Sequence, residues 1–100
     1  RVLFRSADGT LYVLFRDEEH DGKATVMKLG KYESQWSLVG SAGFSQGAAN
    51  DPYLLVDGDT LYAAYGVFDD DNNAYVHVMQ YELDGAGDWT LAGAPIAGGV

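Results

Sequence analysis

The sequence contains no cysteine, only 2 prolines and only 6 basic residues against 15 acidic ones, which gives a formal net charge of −9. Without cysteine there is no disulfide framework, no thiolate nucleophile and no zinc or iron–sulfur site built on sulfur. The excess of carboxylates repels phosphate backbones and anionic membrane surfaces, so nucleic acid is not expected as a partner. The longest apolar runs are about five residues, against the roughly twenty that a membrane-spanning helix needs, so no membrane span is expected.

What the sequence does have is enough apolar material for one small domain. It is 100 residues long and 47% apolar, a size that excludes a two-domain enzyme. Because the first residue is Arg1 rather than Met, we expect a mature or excised segment.

Two copies of one unit of about fifty residues make up the chain. The recurring segments, with their positions, are TLY (10–12 and 60–62), VM (26–27 and 78–79), and WSLVG (36–40) against WTLAG (89–93). The spacing grows from 50 to 53 residues because the second copy has longer turns rich in Asp, Asn and Gly, where extra length is tolerated. We therefore predict one unit with its linker in residues 1–50 and a second unit in residues 51–100.

Each unit is predicted to form four short β-strands and no helix, which makes the fold class all-β. The apolar positions hold Val, Leu, Tyr and Phe, and no stretch of a dozen residues has the 3.6-residue period of a helix. The predicted strands are residues 2–6, 10–16, 24–29 and 36–40 in the first unit and 53–56, 60–68, 74–83 and 89–96 in the second.

The second strand of each unit predicts a sheet that is covered on both faces. Residues 11–15 (LYVLF) and 61–65 (LYAAY) are continuous apolar runs, whereas a half-buried strand alternates apolar and polar side chains. Four antiparallel strands in about fifty residues, stacked between neighbours, are typical of one blade of a β-propeller. The alternative is a single eight-stranded sandwich or barrel, which the alternating segment at 75–81 favours.

A resemblance to known repeats adds to this interpretation. The segments that carry it are residues 24–28 (ATVMK), 36–45 (WSLVGSAGFS), 52–56 (PYLLV) and 60–62 (TLY). They resemble tandem repeats of bacterial secreted and cell-surface proteins. The unit also resembles a kelch blade in its length and its Tyr-then-Trp order, without the Gly-Gly doublet that ends the second strand of a kelch blade. The resemblance implies a β-propeller and a secreted or surface location, and it implies no catalytic residue.

Two blades do not close a propeller, which has about four to eight blades around its channel. Two apolar sheet faces would stay open to water, so we expect either further blades in a longer parent chain or head-to-tail self-association. A trimer would supply six blades and a tetramer eight. We favour ring closure, because the predicted strands begin and end close to the two ends of the sequence.

Two acidic hairpins at the same place in the two units are candidate calcium sites. Oxygen-bearing side chains alternate along each hairpin, as in the first half of a calcium-binding loop. The candidate ligands are Asp17, Glu19 and Asp21 in the first hairpin and Asp69, Asp71 and Asn73 in the second. The twelfth position of each loop holds Lys28 or Gln80 instead of a bidentate Glu. An ordinary solvated turn is therefore the favoured interpretation, weak calcium binding is the alternative, and no other cofactor is expected.

Aromatic and basic side chains are candidates for binding a glycan, because aromatic faces beside polar groups stack on sugar rings. The candidates are Trp36, Trp89, Arg5, Arg16 and Tyr65. Packing between blades is the competing interpretation for both Trp residues, since they recur at the same place in the repeat. His20 and His77 have no partner at metal-ligand spacing.

The sequence favours a non-catalytic binding or scaffold module, with a glycan as the preferred small ligand. The first alternative is a fragment of a larger propeller enzyme of the glycosidase type. Residues 6–10 (SADGT) resemble the S-x-D-x-G-x-T-W turn of sialidase repeats, with shorter spacing and no Trp. The second alternative is a purely structural repeat that binds only its neighbours.

Overall fold

A computed structural model describes residues 2–98, and the prediction of an all-β fold is confirmed for this part of the chain. The strands there are β1 (Val2–Arg5), β2 (Leu11–Asp17), β3 (Lys23–Leu29), β4 (Ser37–Leu38), β5 (Asn50–Asp57), β6 (Thr60–Phe68), β7 (Ala74–Glu82), β8 (Thr90–Leu91) and β9 (Ile96–Ala97). One turn of 3₁₀ helix, Glu18–His20, interrupts the β2–β3 hairpin. Within residues 2–98 no helix is long and apolar enough to cross a membrane.

The strands form two antiparallel sheets with the same pairing. The first sheet has the order β1-β2-β3-β4 and the second β5-β6-β7-β8, with β9 added beside β7. Met27 lies opposite Val13 and Leu38 in the first sheet, as Met79 lies opposite Ala63 and Leu91 in the second. The repeat in the sequence is thus a repeat in strand register.

The fourth strands are shorter than the sequence predicts. Only Ser37–Leu38 and Thr90–Leu91 pair as strands, instead of residues 36–40 and 89–96. The reason is backbone geometry: Gly40 has φ +72° and Gly93 has φ +89°, and both angles lie outside extended conformation. Pro95 then has no N–H to donate, and the chain returns to the sheet as β9, beside the other half of β7.

One face of each sheet packs against the other sheet and forms the core between them. The buried apolar side chains there are Tyr12, Leu14, Ala24, Val26 and Val39 from the first unit, Ala49 from the linker, and Leu61, Ala63, Tyr65, Val67, Met79 and Trp89 from the second. Burying an aliphatic side chain of this kind contributes about 1.5–3 kcal/mol relative to leaving it exposed. These two faces, called the inner faces below, therefore hold the two sheets together.

The other face of each sheet is apolar and open to solvent within one chain. On the first sheet it presents Leu3 and Leu38, both exposed, with the half-buried Val13, Phe15 and Met27 between them. On the second it presents Tyr53 and Leu55, both exposed, together with the half-buried Tyr62 and Val78. The sequence predicts second strands covered on both faces, whereas a single chain covers each sheet on one face only.

Gly40 offers a stability test with a matched control. A Cβ added at Gly40 would lie 2.6 Å from Cδ1 of Trp89, whereas a Cβ at Gly93 would have nothing within 4 Å. We expect Gly40→Ala to lower the free energy of unfolding by about 3 kcal/mol, from strain at positive φ plus the clash, and Gly93→Ala by about 1 kcal/mol from strain alone. Urea denaturation of the two variants measures the difference, and equal losses would contradict the contact.

Candidate functional site

A cavity of about 400 Å³ lies at the end of the second sheet where the β6–β7 hairpin meets the linker that joins the two sheets. Its walls are Gln46 and Gly47 from the linker, Val67, Phe68, Asp69, Asp70, Tyr75 and His77 from the hairpin, and Pro95. The volume lies within the range of about 300–1,000 Å³ that is usual for small-molecule sites. The cavity combines aromatic rings, carboxylates, an amide and an imidazole.

A hydrogen-bonded cluster of Gln46, His77 and Tyr65 lies at this cavity, and Gln46 and His77 belong to its wall. The Tyr65 hydroxyl donates to Oε1 of Gln46 over 3.1 Å, and Nδ1 of His77 lies 2.7 Å from the same oxygen. Because that oxygen only accepts, Nδ1 carries the imidazole proton and Nε2 is left as an acceptor. Nε2 has no hydrogen-bond partner within residues 2–98, and no buried side-chain N or O there lacks a partner, so Nε2 faces solvent.

Burial keeps the cluster uncharged at neutral pH. It lowers the pKa of His77, whose side chain is only 8% exposed, and it raises the pKa of the Tyr65 hydroxyl well above its usual range. The neutral imidazole offers an acceptor and the Gln46 amide nitrogen offers donors, so the wall presents uncharged hydrogen-bonding groups of both kinds.

The register of β6 and β7, and hydrogen bonds that fix the linker beside them, bring Gln46, Tyr65 and His77 together. Tyr65 and His77 lie directly opposite each other on β6 and β7, with ring centroids 5.9 Å apart. The linker is held beside them by buried Ser45, whose hydroxyl accepts from the Ala24 N–H and donates to the Gly47 carbonyl oxygen. Gln46 lies between these anchored residues and therefore points its side chain at the pair.

The cluster has no counterpart in the first sheet. The repeat places Phe15 where the second sheet has Tyr65, and Thr25 where it has His77. Thr25 is buried and bonded within its own sheet, donating to Asp17 and accepting from the Gly43 N–H. The sequence analysis missed Gln46, Phe68 and His77 as a site. The signal that would have found His77 is its place opposite a second polar residue on the apolar inner face.

The two candidate Trp residues occupy different environments. Trp89 is only 7% exposed, its ring stacks on Phe44 with centroids 4.3 Å apart, and its Nε1 donates to the Val39 carbonyl oxygen over 2.8 Å. Trp36 is 42% exposed and lies two residues before Leu38, so strand alternation assigns it to the open face of the first sheet. Of the two Trp residues, only Trp36 presents its ring to solvent in the single chain.

The five candidate ligand residues do not meet at one place. Arg5 is exposed on the open face of the first sheet, while Arg16 is exposed on the opposite face of that sheet, with its guanidinium beside Gly22. Tyr65 and Trp89 are joined through Phe44 inside the core. None of the five lines the cavity, and Tyr65 is connected to it only through its bond to Gln46.

The acidic hairpins use their first carboxylates to stabilise their own turns. Asp17 accepts from the Glu19 N–H, the Thr25 hydroxyl and Nδ1 of His20, and Asp69 accepts from the N–H groups of Asp71 and Asn73. Hydrogen bonding lowers the pKa of both carboxyl groups, with Thr25 the main cause at Asp17 and the Asn73 N–H at Asp69. Within residues 2–98 no three His, Asp or Glu side chains converge as metal ligands.

A larger cavity of about 580 Å³ lies at the opposite end of the sheets, where the β1–β2 and β5–β6 turns meet. Asp8, Asp59 and Asp84 line it together with Phe4 and Tyr12. Asp8 accepts from Ser6 and from the Thr10 N–H, and these bonds lower its pKa to about 2. Asp8 is therefore occupied in its turn, and this cavity has no hydrogen-bonded cluster like that of Gln46.

The chain matches no protein family, no curated protein and no solved structure. No function therefore comes to it from a relative. The Gln46–His77 cavity and the two open sheet faces are the features on which a functional proposal can stand.

The lowered pKa of His77 predicts a pH dependence. The unfolded chain binds a proton near pH 6.5 and the folded chain only at lower pH, so His77 contributes stability above pH 6.5 that is lost as the pH falls through its folded pKa. We expect the free energy of unfolding to fall below pH 6.5, and His77→Gln to reduce that slope. Urea denaturation from pH 7.5 to 5 measures it. His20→Gln, at an exposed position, is the control, and an unchanged slope in His77→Gln would contradict the prediction.

Weak calcium binding stays the untested alternative to an ordinary solvated turn, and the hydrogen bonds of the hairpins set the expected result. Because Asp17 and Asp69 already accept hydrogen bonds from their own turns, we expect the same melting temperature in millimolar calcium and in excess chelator. Differential scanning calorimetry checks this. A rise with calcium that disappears in Asp69→Asn would establish the site instead.

Proposed function

We propose that the chain is a non-catalytic binding and scaffold module of a secreted or surface protein, built from two β-propeller blades. The observation that supports this is the sense in which the sheets stack. The face holding Tyr12 packs on the face holding Leu61, yet the repeat equivalent of Tyr12 is Tyr62, which lies on the open face. In a two-fold sandwich equivalent faces meet, whereas here unlike faces meet, as they do between successive blades.

Four hydrogen-bonded carboxylates have properties opposite to those of a glycosidase acid. Hydrogen bonds lower the pKa of Asp8, Asp17, Asp69 and Asp88, with the Ser41 hydroxyl the main cause at Asp88. A glycosidase acid needs the opposite shift, a raised pKa that keeps the carboxyl group protonated. In the alternative of a larger propeller enzyme, the catalytic acids would come from other blades.

The chemistry of the Gln46–His77 cavity favours an uncharged glycan as the small ligand. Phe68 is half exposed at its edge and offers a ring for stacking, while Asp70, the Gln46 amide and Nε2 of His77 offer hydrogen bonds to hydroxyl groups. The net charge of −9 disfavours acidic sugars. The secreted or surface location of the parent protein rests on the resemblance to bacterial repeats.

A glycan array of neutral sugars, followed by titration of the best binder, tests the proposal. We expect Phe68→Ala to weaken binding about tenfold, because it removes the stacking ring. Tyr32→Ala is the control, since Tyr32 is 92% exposed and does not line the cavity. Binding that Phe68→Ala leaves unchanged would place the site elsewhere. Absence of any bound glycan would favour the purely structural repeat.

A further inference from the structure

Trp89 packs against a contact surface of the first unit, which is called the seat below. Its indole N–H donates to the Val39 carbonyl oxygen over 2.8 Å, and its ring passes so close to Gly40 that an added Cβ would lie 2.6 Å from Cδ1. Phe44 stacks on the other part of the ring at 4.3 Å. The seat consists of a carbonyl, a glycine at positive φ and an aromatic neighbour.

The second unit repeats the backbone of this seat without a Trp in it. Ala92 and Gly93 correspond to Val39 and Gly40 in the segments WTLAG and WSLVG. The Ala92 N–H donates to Val78 over 2.8 Å, as the Val39 N–H donates to Val26 over 2.9 Å. Gly93 has φ +89°, as Gly40 has φ +72°, and nothing lies within 4 Å of the position of its missing Cβ.

Trp36 is the repeat equivalent of Trp89. Within residues 2–98 of its own chain it has no contact surface like the seat of Trp89. It is 42% exposed and lies two residues before Leu38, whose side chain is on the open face of the first sheet. The unoccupied seat at Ala92 and Gly93 therefore belongs to the open face of the second sheet. Trp36 belongs to the open face of the first sheet.

The open faces around Trp36 and around Gly93 also correspond, by the repeat, to the two inner faces that pack on each other within the chain. The open face of the first sheet presents Leu3, Val13, Phe15, Met27 and Leu38, which the repeat equates with Leu54, Ala63, Tyr65, Met79 and Leu91 on the inner face of the second sheet. The open face of the second sheet presents Leu55, Tyr62, Ala64 and Val78, the equivalents of Phe4, Tyr12, Leu14 and Val26. The open face of the first sheet in one copy is thus suited to pack on the open face of the second sheet in another copy.

We infer that a second copy of this chain covers the open face of the second sheet, placing its Trp36 over Gly93 with the indole N–H donating to the Ala92 carbonyl oxygen. The inference rests on the proposed stacking of blades and adds the partner, the direction and the central contact. The association is heterologous, with unlike faces meeting, so it continues until a ring closes.

Two differences from the internal seat make this contact weaker. Ala97 stands where the internal seat has Phe44, so the aromatic stack is missing. Each copy also carries a net charge of −9, so copies repel one another at low salt. Association should therefore depend on protein concentration and become tighter as salt screens the charges.

A complementation experiment with the full chain tests both the direction and the contact. Trp36→Asp damages the open face of the first sheet, and Leu55→Asp damages that of the second, at a position 57% exposed in the single chain. In light scattering coupled to size exclusion, we expect wild type to form a species larger than a dimer. Each variant alone should be a monomer, with its dissociation constant raised at least tenfold. Their mixture should form a one-to-one heterodimer through the two undamaged faces.

Tyr32→Asp is the matched control, since it adds the same charge at an exposed aromatic outside the strands and should associate like wild type. Circular dichroism of each variant establishes that it is folded. Self-association of either variant through its undamaged face would overturn the head-to-tail direction. Wild-type association that Trp36→Asp leaves unchanged would overturn the Trp36–Gly93 contact while blade stacking stands. A folded wild-type monomer at all concentrations and salt levels would overturn the Trp36–Gly93 contact and the stacking of one copy on another.

Discussion

The contact between Trp89 and the segment that follows β4 is the constraint on which the arrangement of the two sheets depends. The indole N–H reaches the Val39 carbonyl, the ring lies against Gly40, and Phe44 stacks on it from the linker. Beside it, Asp88 accepts from the backbone and the hydroxyl of Ser41. These contacts join the start of the last strand of one unit to the end of the last strand of the other. They fix which faces meet, and an alanine at position 40 would displace the ring.

Once unlike faces meet, the remaining properties of the chain follow. Stacking of unlike faces always leaves one face of each kind open, so the apolar surface at Leu3 and at Leu55 is a consequence of the same geometry that builds the core. The acidic residues of both β2–β3-type hairpins lie in turns, where Asp17 and Asp69 accept N–H groups that the strands leave free. Charge is thereby concentrated at the hairpin ends, and the broad faces of the sheets are left for packing.

The sequence predicts the features that depend on local pattern. The apolar runs of β2 and β6, the repeat and the all-β class are read correctly, because strand periodicity and turn residues determine them over a few positions. The length of the fourth strands is predicted wrongly, since Gly93 and Pro95 act through φ and a missing N–H in the middle of an apolar stretch. The direction in which Asp17 points depends on Thr25, eight residues away, and no spacing rule within the hairpin contains that bond.

The Gln46–Tyr65–His77 cluster is the place where the second unit departs from what folding alone requires. Phe15 is the repeat equivalent of Tyr65 but lies on an open face, whereas Tyr65 is buried, and burying a hydroxyl and an imidazole costs free energy that Gln46 has to offset. Each of the three side chains satisfies another, yet Nε2 of His77 is left facing the cavity as an acceptor. The cluster is a satisfied polar network at the wall of an accessible cavity, and such networks both rigidify a core and offer groups to a ligand. The two units therefore differ in what they present: the first has the exposed Trp36, and the second has the polar cluster of Gln46, Tyr65 and His77.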